Sequence, residues 1–263
     1  MSLSAELREF AESPDRFVDV ADDGLISRYD DGRICVIEGP TFVSVCAPNV
    51  EDGEVEQLLA DVREIADVAK RPSWWIGPSA RPTGIVGQLK ELGVREPEDR
   101  VPLVHALAVA TEPAGFSTDV EARTVESFDD FVATAELRFD VFDVPPERRE
   151  AEREHFAEYF EESQRIGIPV WFMATLEGKV AGSAGAIPSP RGVFLIGGST
   201  ARWARGRGVY RALVRARWDY AVARGTPALV TQAQPTTSYP ILLHVGFEEV
   251  CSIRRLEDRP PSS

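Results

Sequence analysis

The chain has 263 residues, an apolar fraction of 43 % and a net charge of −14, from 43 acidic and 29 basic residues. That composition suits one large or two small soluble cores, and no run of about 18 apolar residues offers a membrane-crossing helix. The acidic excess argues against general nucleic-acid binding, which needs a basic surface, and fits a cationic partner such as an amine. Three scattered histidines and three cysteines offer no metal-ligand spacing. The start, Met1 to Arg8, lacks a basic-then-apolar leader pattern. Cys35, Cys46 and Cys251 each fall in a strand-like run, so buried free thiols and a cytoplasmic setting are expected.

In chain order, Ile34–Ile37 and Thr41–Cys46 read as a hairpin around Gly39-Pro40. Glu54–Lys70 reads as a helix with Val55, Leu58, Leu59, Val62 and Ile65 on one face. A short strand Ser73–Gly77, a helix Thr83–Leu92 closed by Gly93, and a strand Val101–Ala110 follow. Ala110–Gly115 carries Pro and Gly together and reads as a connector, so domains are expected at 1–113 and 114–263. Phe139–Asp143 ends a helix before Pro145-Pro146, and Glu147–Arg165 reads as one strongly charged helix that carries His155 on its surface.

Val193–Thr200 reads as a buried strand ending in small residues. Arg205-Gly206-Arg207-Gly208-Val209-Tyr210 follows, and then a helix with Val209, Ala212, Leu213, Ala216 and Tyr220 at helical spacing, stopped at Gly225. The first N–H groups of a helix have no partner within it, and with the helix dipole they form an anion site suited to phosphate. Arg205, Arg207, Arg211 and Arg215 crowd this helix start, where the dipole disfavours positive charge. On an acidic chain, that placement points to a bound polyanion; the alternative is a solvated basic face beside a turn. Nothing ends in Gly-Lys-Ser/Thr, which argues against a nucleotide loop. A strand Ala228–Gln232, a short helix ending at His244-Val245-Gly246-Phe247, with His244 a packing residue, and a strand Glu249–Leu256 complete the chain.

From about residue 116 to 257 this order resembles the Gcn5-related N-acetyltransferase (GNAT) family. Arg205 and Gly208 match its Arg/Gln-x-x-Gly-x-Gly/Ala signature, and Gly246-Phe247 match its later landmark. The resemblance implies an acetyl-CoA co-substrate and no metal. Its pyrophosphate would be held by Arg205, Gly206, Arg207, Gly208, Val209, Tyr210 and Arg211. Its pantetheine arm would pair with the strand edge Gly198, Ser199 and Thr200; a simple bulge at Gly197-Gly198 is the alternative. Tyr210 departs from the family's Gly/Ala, which is tolerable if the side chain points away from the cofactor. Leu242 stands where many members carry a tyrosine acid, and Tyr239, three residues earlier, is the substitute; packing at a helix start is its other reading. The family's strand Glu is absent. Asp140 and Asp143, in the segment that commonly lines the acceptor pocket, are candidate bases, or else solvent-facing carboxylates.

The first 113 residues repeat the strand and helix order of this half, ending Leu92-Gly93-Val94, so a diverged internal repeat is expected. An unrelated α/β cap is the competing reading. The counterpart of the phosphate loop, Ala47–Glu54, lacks Arg-x-x-Gly and carries acid instead, so this half is expected to have lost CoA. The fold class is therefore α/β (α+β): two GNAT-like halves, each a mixed, mostly antiparallel sheet flanked by helices. The function implied is transfer of an acetyl group by direct amine attack, onto a small-molecule or protein amine. A homodimer is open to it, and nucleic acid and membrane are not expected partners. The competing class is a non-catalytic CoA sensor. Trp74-Trp75 and Trp171-Phe172 are read as core, with a wall of an acceptor pocket as the other role.

Overall fold

A computed structural model describes residues 3–21, 24–98, 100–114 and 119–259. Gly115 of the connector and residues 116–118, at the start of the region of resemblance, lie outside the described residues. In chain order the elements are α1 (Ala5–Glu12), β1 (Ser27–Asp30), β2 (Cys35–Gly39), β3 (Phe42–Cys46), α2 (Val55–Ile65), β4 (Ser73–Ile76), α3 (Ile85–Glu91) and β5 (Leu103–Val109). Then come β6 (Glu121–Thr124), α4 (Phe128–Val141), α5 (Pro146–Glu154), α6 (Phe156–Ile166), β7 (Val170–Leu176), β8 (Lys179–Ser189) and β9 (Gly192–Thr200). The chain continues through α7 (Val209–Ala223), β10 (Leu229–Ala233), α8 (Ser238–His244) and β11 (Glu248–Glu257).

The compact units are not contiguous in sequence. The first comprises Met1–Leu7, Ala108–Thr231 and Ile241–Glu248, and the second Arg8–Leu107, Gln232–Pro240 and Glu249–Ser263. This division differs from a cut at 113/114, and strand placement is the reason. β11 is written last in the chain, yet it pairs antiparallel with β4, with Arg254 opposite Ile76 and Glu257 opposite Ser73.

In the first unit the strands run β10-β9-β8-β7-β6. The β7–β8 and β8–β9 pairs are antiparallel and β9–β10 is parallel. The Ser127 hydroxyl caps α4 by accepting from the Asp130 N–H at 3.2 Å. Phe131, Ala135 and Phe139 of α4 meet Phe156 of α6 and Met173 of β7 in one apolar cluster. α7 lies on the opposite face. A Cβ at Gly182 would come within 2.6 Å of Val209 and 2.9 Å of Leu213, and the Phe172 and Tyr220 rings meet edge to face at 5.9 Å. The single helix expected over 147–165 is two helices that break at His155. The reason lies in the pattern: α5 buries no residue, and inward-facing apolar positions begin only with Phe156.

In the second unit the strands run β1-β2-β3-β4-β11-β5. α2 and α3 bury Val55, Leu58, Leu59, Val62, Ile85 and Leu89 against Trp74, Ile76 and Leu256. The β2–β3 hairpin, the crossover through α2 and the parallel β3–β4 pair repeat the path of β8, β9, α7 and β10. The chain is thus an internal repeat, with α/β layers in each half. Cys35 and Cys46 are buried free thiols opposite one another, whereas Cys251 is half-buried.

Candidate functional site

After β9 the chain makes a 3₁₀ turn at Arg202–Ala204 and then the glycine-rich turn. Gly206 and Gly208 have φ of +75° and +86°, conformations that favour glycine. The ladder of α7 begins with the Ala212 N–H donating to the Gly208 carbonyl at 3.0 Å. Val209 and Tyr210 therefore present N–H groups with no partner inside the helix. The arginines are partly engaged with carboxylates. Arg207 pairs with Glu177, in the β7–β8 turn, at 2.5 Å, and this holds the Glu177 carboxyl below its ordinary value. Arg215 pairs with Glu112 and, at 2.8 Å, with Asp219. Arg205 is exposed and has no carboxylate partner among the described residues.

β9 pairs with β10 only over Val193–Leu195, so its edge from Ile196 to Thr200 leaves that partner behind. Opposite β8, Gly185 faces Ile196 and Ser183 faces Ser199, which leaves Gly197 and Gly198 across from Ala184 alone. This is a β-bulge, with Gly197 at φ +58°. Gly197 is exposed and Gly198 half-buried, while Ser199 is buried with its hydroxyl donating to the Ser183 carbonyl at 3.2 Å. Tyr210 does not point outward. Its ring lies on the backbone of Gly198, where a Cβ would stand 2.8 Å from Cε2. Burial raises its phenol pKa, and the charge of Arg217 opposes that rise. The ring fills the space that the missing Gly198 side chain leaves.

The candidate carboxylates separate. Asp140 pairs with Arg149 of α5 at 2.8 Å and is largely exposed. Asp143, at φ +49° in the loop after α4, pairs with Arg202 at 2.9 Å, beside the entry to the glycine turn. Tyr239 belongs to the second unit. There its hydroxyl donates to Glu249 at 2.5 Å and its ring lies tilted against His105 with centroids 4.4 Å apart. Leu242 is fully buried, and His244 is exposed rather than packed.

The corresponding loop of the second unit is closed on itself. β3 is paired with β4 up to its last residue, Cys46, so no free edge follows. The Glu51 N–H, before α2, donates to the Glu54 carboxylate at 2.8 Å, and the Asn49 N–H donates to the Arg33 carbonyl at 2.7 Å. A carboxylate of the chain itself takes up this N–H group.

Sequence reading missed Arg138, Glu177 and Arg202. Arg138 carried a signal, because it lies at helical spacing from Phe131, Thr134 and Ala135 on the buried stripe of α4. Its guanidinium carbon stands 3.9 Å over the Trp171 ring and its Nη1 donates to Ser183 Oγ at 3.0 Å. Trp171 also walls a cavity of about 210 Å³ with Phe131 and Phe160. That cavity opens at the start of β7, the opposite end of the strand from Glu177, so it is not the phosphate turn.

No protein-family model and no curated protein sequence matches the chain. Solved structures do. A GCN5-related N-acetyltransferase from Kribbella flavida is 14 % identical with a TM-score of 0.65, covering 100 % of this chain and 98 % of that one. Another from Sphaerobacter thermophilus is 17 % identical, with a TM-score of 0.58 and coverage of 100 % and 99 %. A tandem GNAT protein from the clavulanic acid biosynthesis pathway is 15 % identical, with a TM-score of 0.57 and coverage of 97 % and 89 %. The chain has the fold of the Gcn5-related N-acetyltransferases in tandem arrangement.

Proposed function

We propose that the chain is an acyl-CoA-dependent N-acetyltransferase that takes acetyl-CoA as co-substrate and passes the acetyl group to an amine by direct attack. Residues 114–263 supply the transferase half and residues 1–113 the degenerate one. The observation that carries the reading is the left-handed Gly206 and Gly208 turn opening α7, set after a strand edge released by β10. N–H groups at the helix start would cradle the pyrophosphate. N–H groups at the Gly197-Gly198 bulge would polarise the thioester carbonyl, where charge develops during attack. Ser199 and Thr200 contribute backbone, because the Ser199 hydroxyl is already bonded. Asp143 is the proposed base, being the carboxylate beside the glycine turn; Asp140 is the second candidate. Tyr239 as proton donor to the thiolate rests on the sequence alone, and Tyr239→Phe tests it.

A sensor without catalysis is the second reading. The buried Leu242 at the position of the family's acid and the Tyr210 ring on Gly198 favour it. Calorimetric titration with acetyl-CoA, followed by a free-thiol assay over an amine panel, separates the two. Binding with thiol release on adding an amine supports the transferase, and binding without turnover supports the sensor. If neither acetyl-CoA nor CoA binds, both readings fail.

A further inference from the structure

The surroundings of α4 are rich in acid, and the arginines there are matched to it. Glu136 holds Arg153 at 2.6 Å, Asp140 holds Arg149, Asp143 holds Arg202 and Glu152 holds Arg148 at 3.1 Å. Arg138 is passed over. Glu152 is the acidic group whose charge reaches it, and that carboxylate is spent on Arg148. Partial burial pulls the Arg138 guanidinium down to about 10, and the half-buried group stays charged at neutral pH. Its partners are one hydroxyl and one ring face, from Ser183 and Trp171. The other guanidinium N–H groups have no acceptor among the described residues, and none of them is sealed from solvent. Arg217 differs: it is fully buried, and backbone carbonyls of Leu213 and Gly185 accept from it, although its Nη2 has no partner.

Arg138 stands at the bulge. A Cβ at Gly197 would lie 3.8 Å from Arg138 Cδ and 3.4 Å from Trp171. The exposed Gly197 is thus a floor without a side chain, walled by a cation and an indole. A planar guanidinium with free, forked donors is the group best matched to a carboxylate.

We propose that Arg138 binds a carboxylate on the acceptor, so that the substrate class is a small amine carrying a carboxylate, as in a free amino acid. This deepens the transferase reading and rests on it. The carboxylate on Arg138 holds the acceptor over Gly197, and its neutral amine forms the new C–N bond to the thioester carbon. The C–S bond breaks, the thiolate leaves with the electron pair, and the amine proton passes to the base. Arg138 orients the acceptor and takes no part in bond exchange.

The test uses the full chain and a panel of amino acids, each beside its carboxamide. Acetyl-CoA affinity is measured separately by calorimetry. Thiol release with the acids, and at least roughly tenfold less with the amides, is the expected result. Arg138→Met keeps the stem on Trp171 and removes the charge. It is expected to raise KM for the acids by about tenfold or more and to erase the preference over amides, with acetyl-CoA affinity and melting temperature unchanged. Arg138→Lys, which keeps the charge, recovers part of that preference. Equal use of acids and amides, no turnover of any acid while acetyl-CoA binds, or an Arg138→Met enzyme that keeps its preference would overturn the proposal. Loss of acetyl-CoA binding by the native chain would instead remove the reading beneath it.

Discussion

A few side chains decide whether the turn after β9 can act. Gly208 accepts a left-handed backbone, and its neighbours carry the helix-start N–H groups. Gly208→Glu adds a carboxylate where pyrophosphate would sit and strains the backbone, so acetyl-CoA binding is expected to vanish in calorimetry; undiminished affinity would refute the assignment. Gly182 matters for packing. A methyl there meets Val209, Leu213 and the Ser199 carbonyl at 3.0 Å or less. Gly182→Ala is therefore expected to cost about 1–3 kcal/mol in chemical denaturation. Cys251 is governed by burial. Burial, with Glu12 and Glu249 nearby, pushes its thiol up to about 12. At pH 8 it is expected to be alkylated by iodoacetamide far more slowly than a free thiol, despite its partial exposure. A rate equal to that of cysteine in peptides would contradict this environment.

Elements bring together what the linear chain separates. Glu249 is the second residue of β11, Tyr239 lies in α8 and His105 in β5, and the three meet: the Glu249 carboxylate accepts from Tyr239 and sits 2.8 Å from His105 Nδ1. These bonds hold its carboxyl below the ordinary 4.5. A depressed folded value stabilises above the unfolded value, and the benefit is lost as pH falls through the lower one. The melting temperature is expected to decline as pH drops below about 4.5, with Glu249→Gln losing less over that range. A parallel decline in both proteins would exclude the contribution. The cluster was not legible in the sequence, because 144 positions separate His105 from Glu249. Local features were legible: the hairpin of β2 and β3, the apolar face of α2 apart from Ile65, which ends the helix exposed, and the glycine turn before α7 each follow from neighbours a few residues apart. The placement of the Tyr210 ring was not legible, because its direction depends on Gly198, a gap in a strand that the helix pattern does not reveal.

At the scale of the whole molecule, order along the chain and order in the sheet diverge. β11 fills the place between β4 and β5, so a chain ended before Glu248 leaves the long side of β4 without hydrogen-bond partners. Exposed edges of this kind recruit other chains. Residues 1–113 and 114–263, produced separately, are expected to aggregate or to lack a cooperative melting transition, and mixing them during refolding is expected to restore both. A monomeric, cooperatively melting 1–113 fragment would show that the strand is dispensable.

The same strand bears on how the repeat has been inherited. A duplicated half would ordinarily be free to diverge from its sibling. Here Ser73, Trp74, Trp75 and Ile76 lie along the last strand of the other copy, and Arg255 rests on the Trp75 ring at 4.3 Å. The two copies are therefore mutual custodians. A change in β4 is thereby felt along the last strand of its sibling.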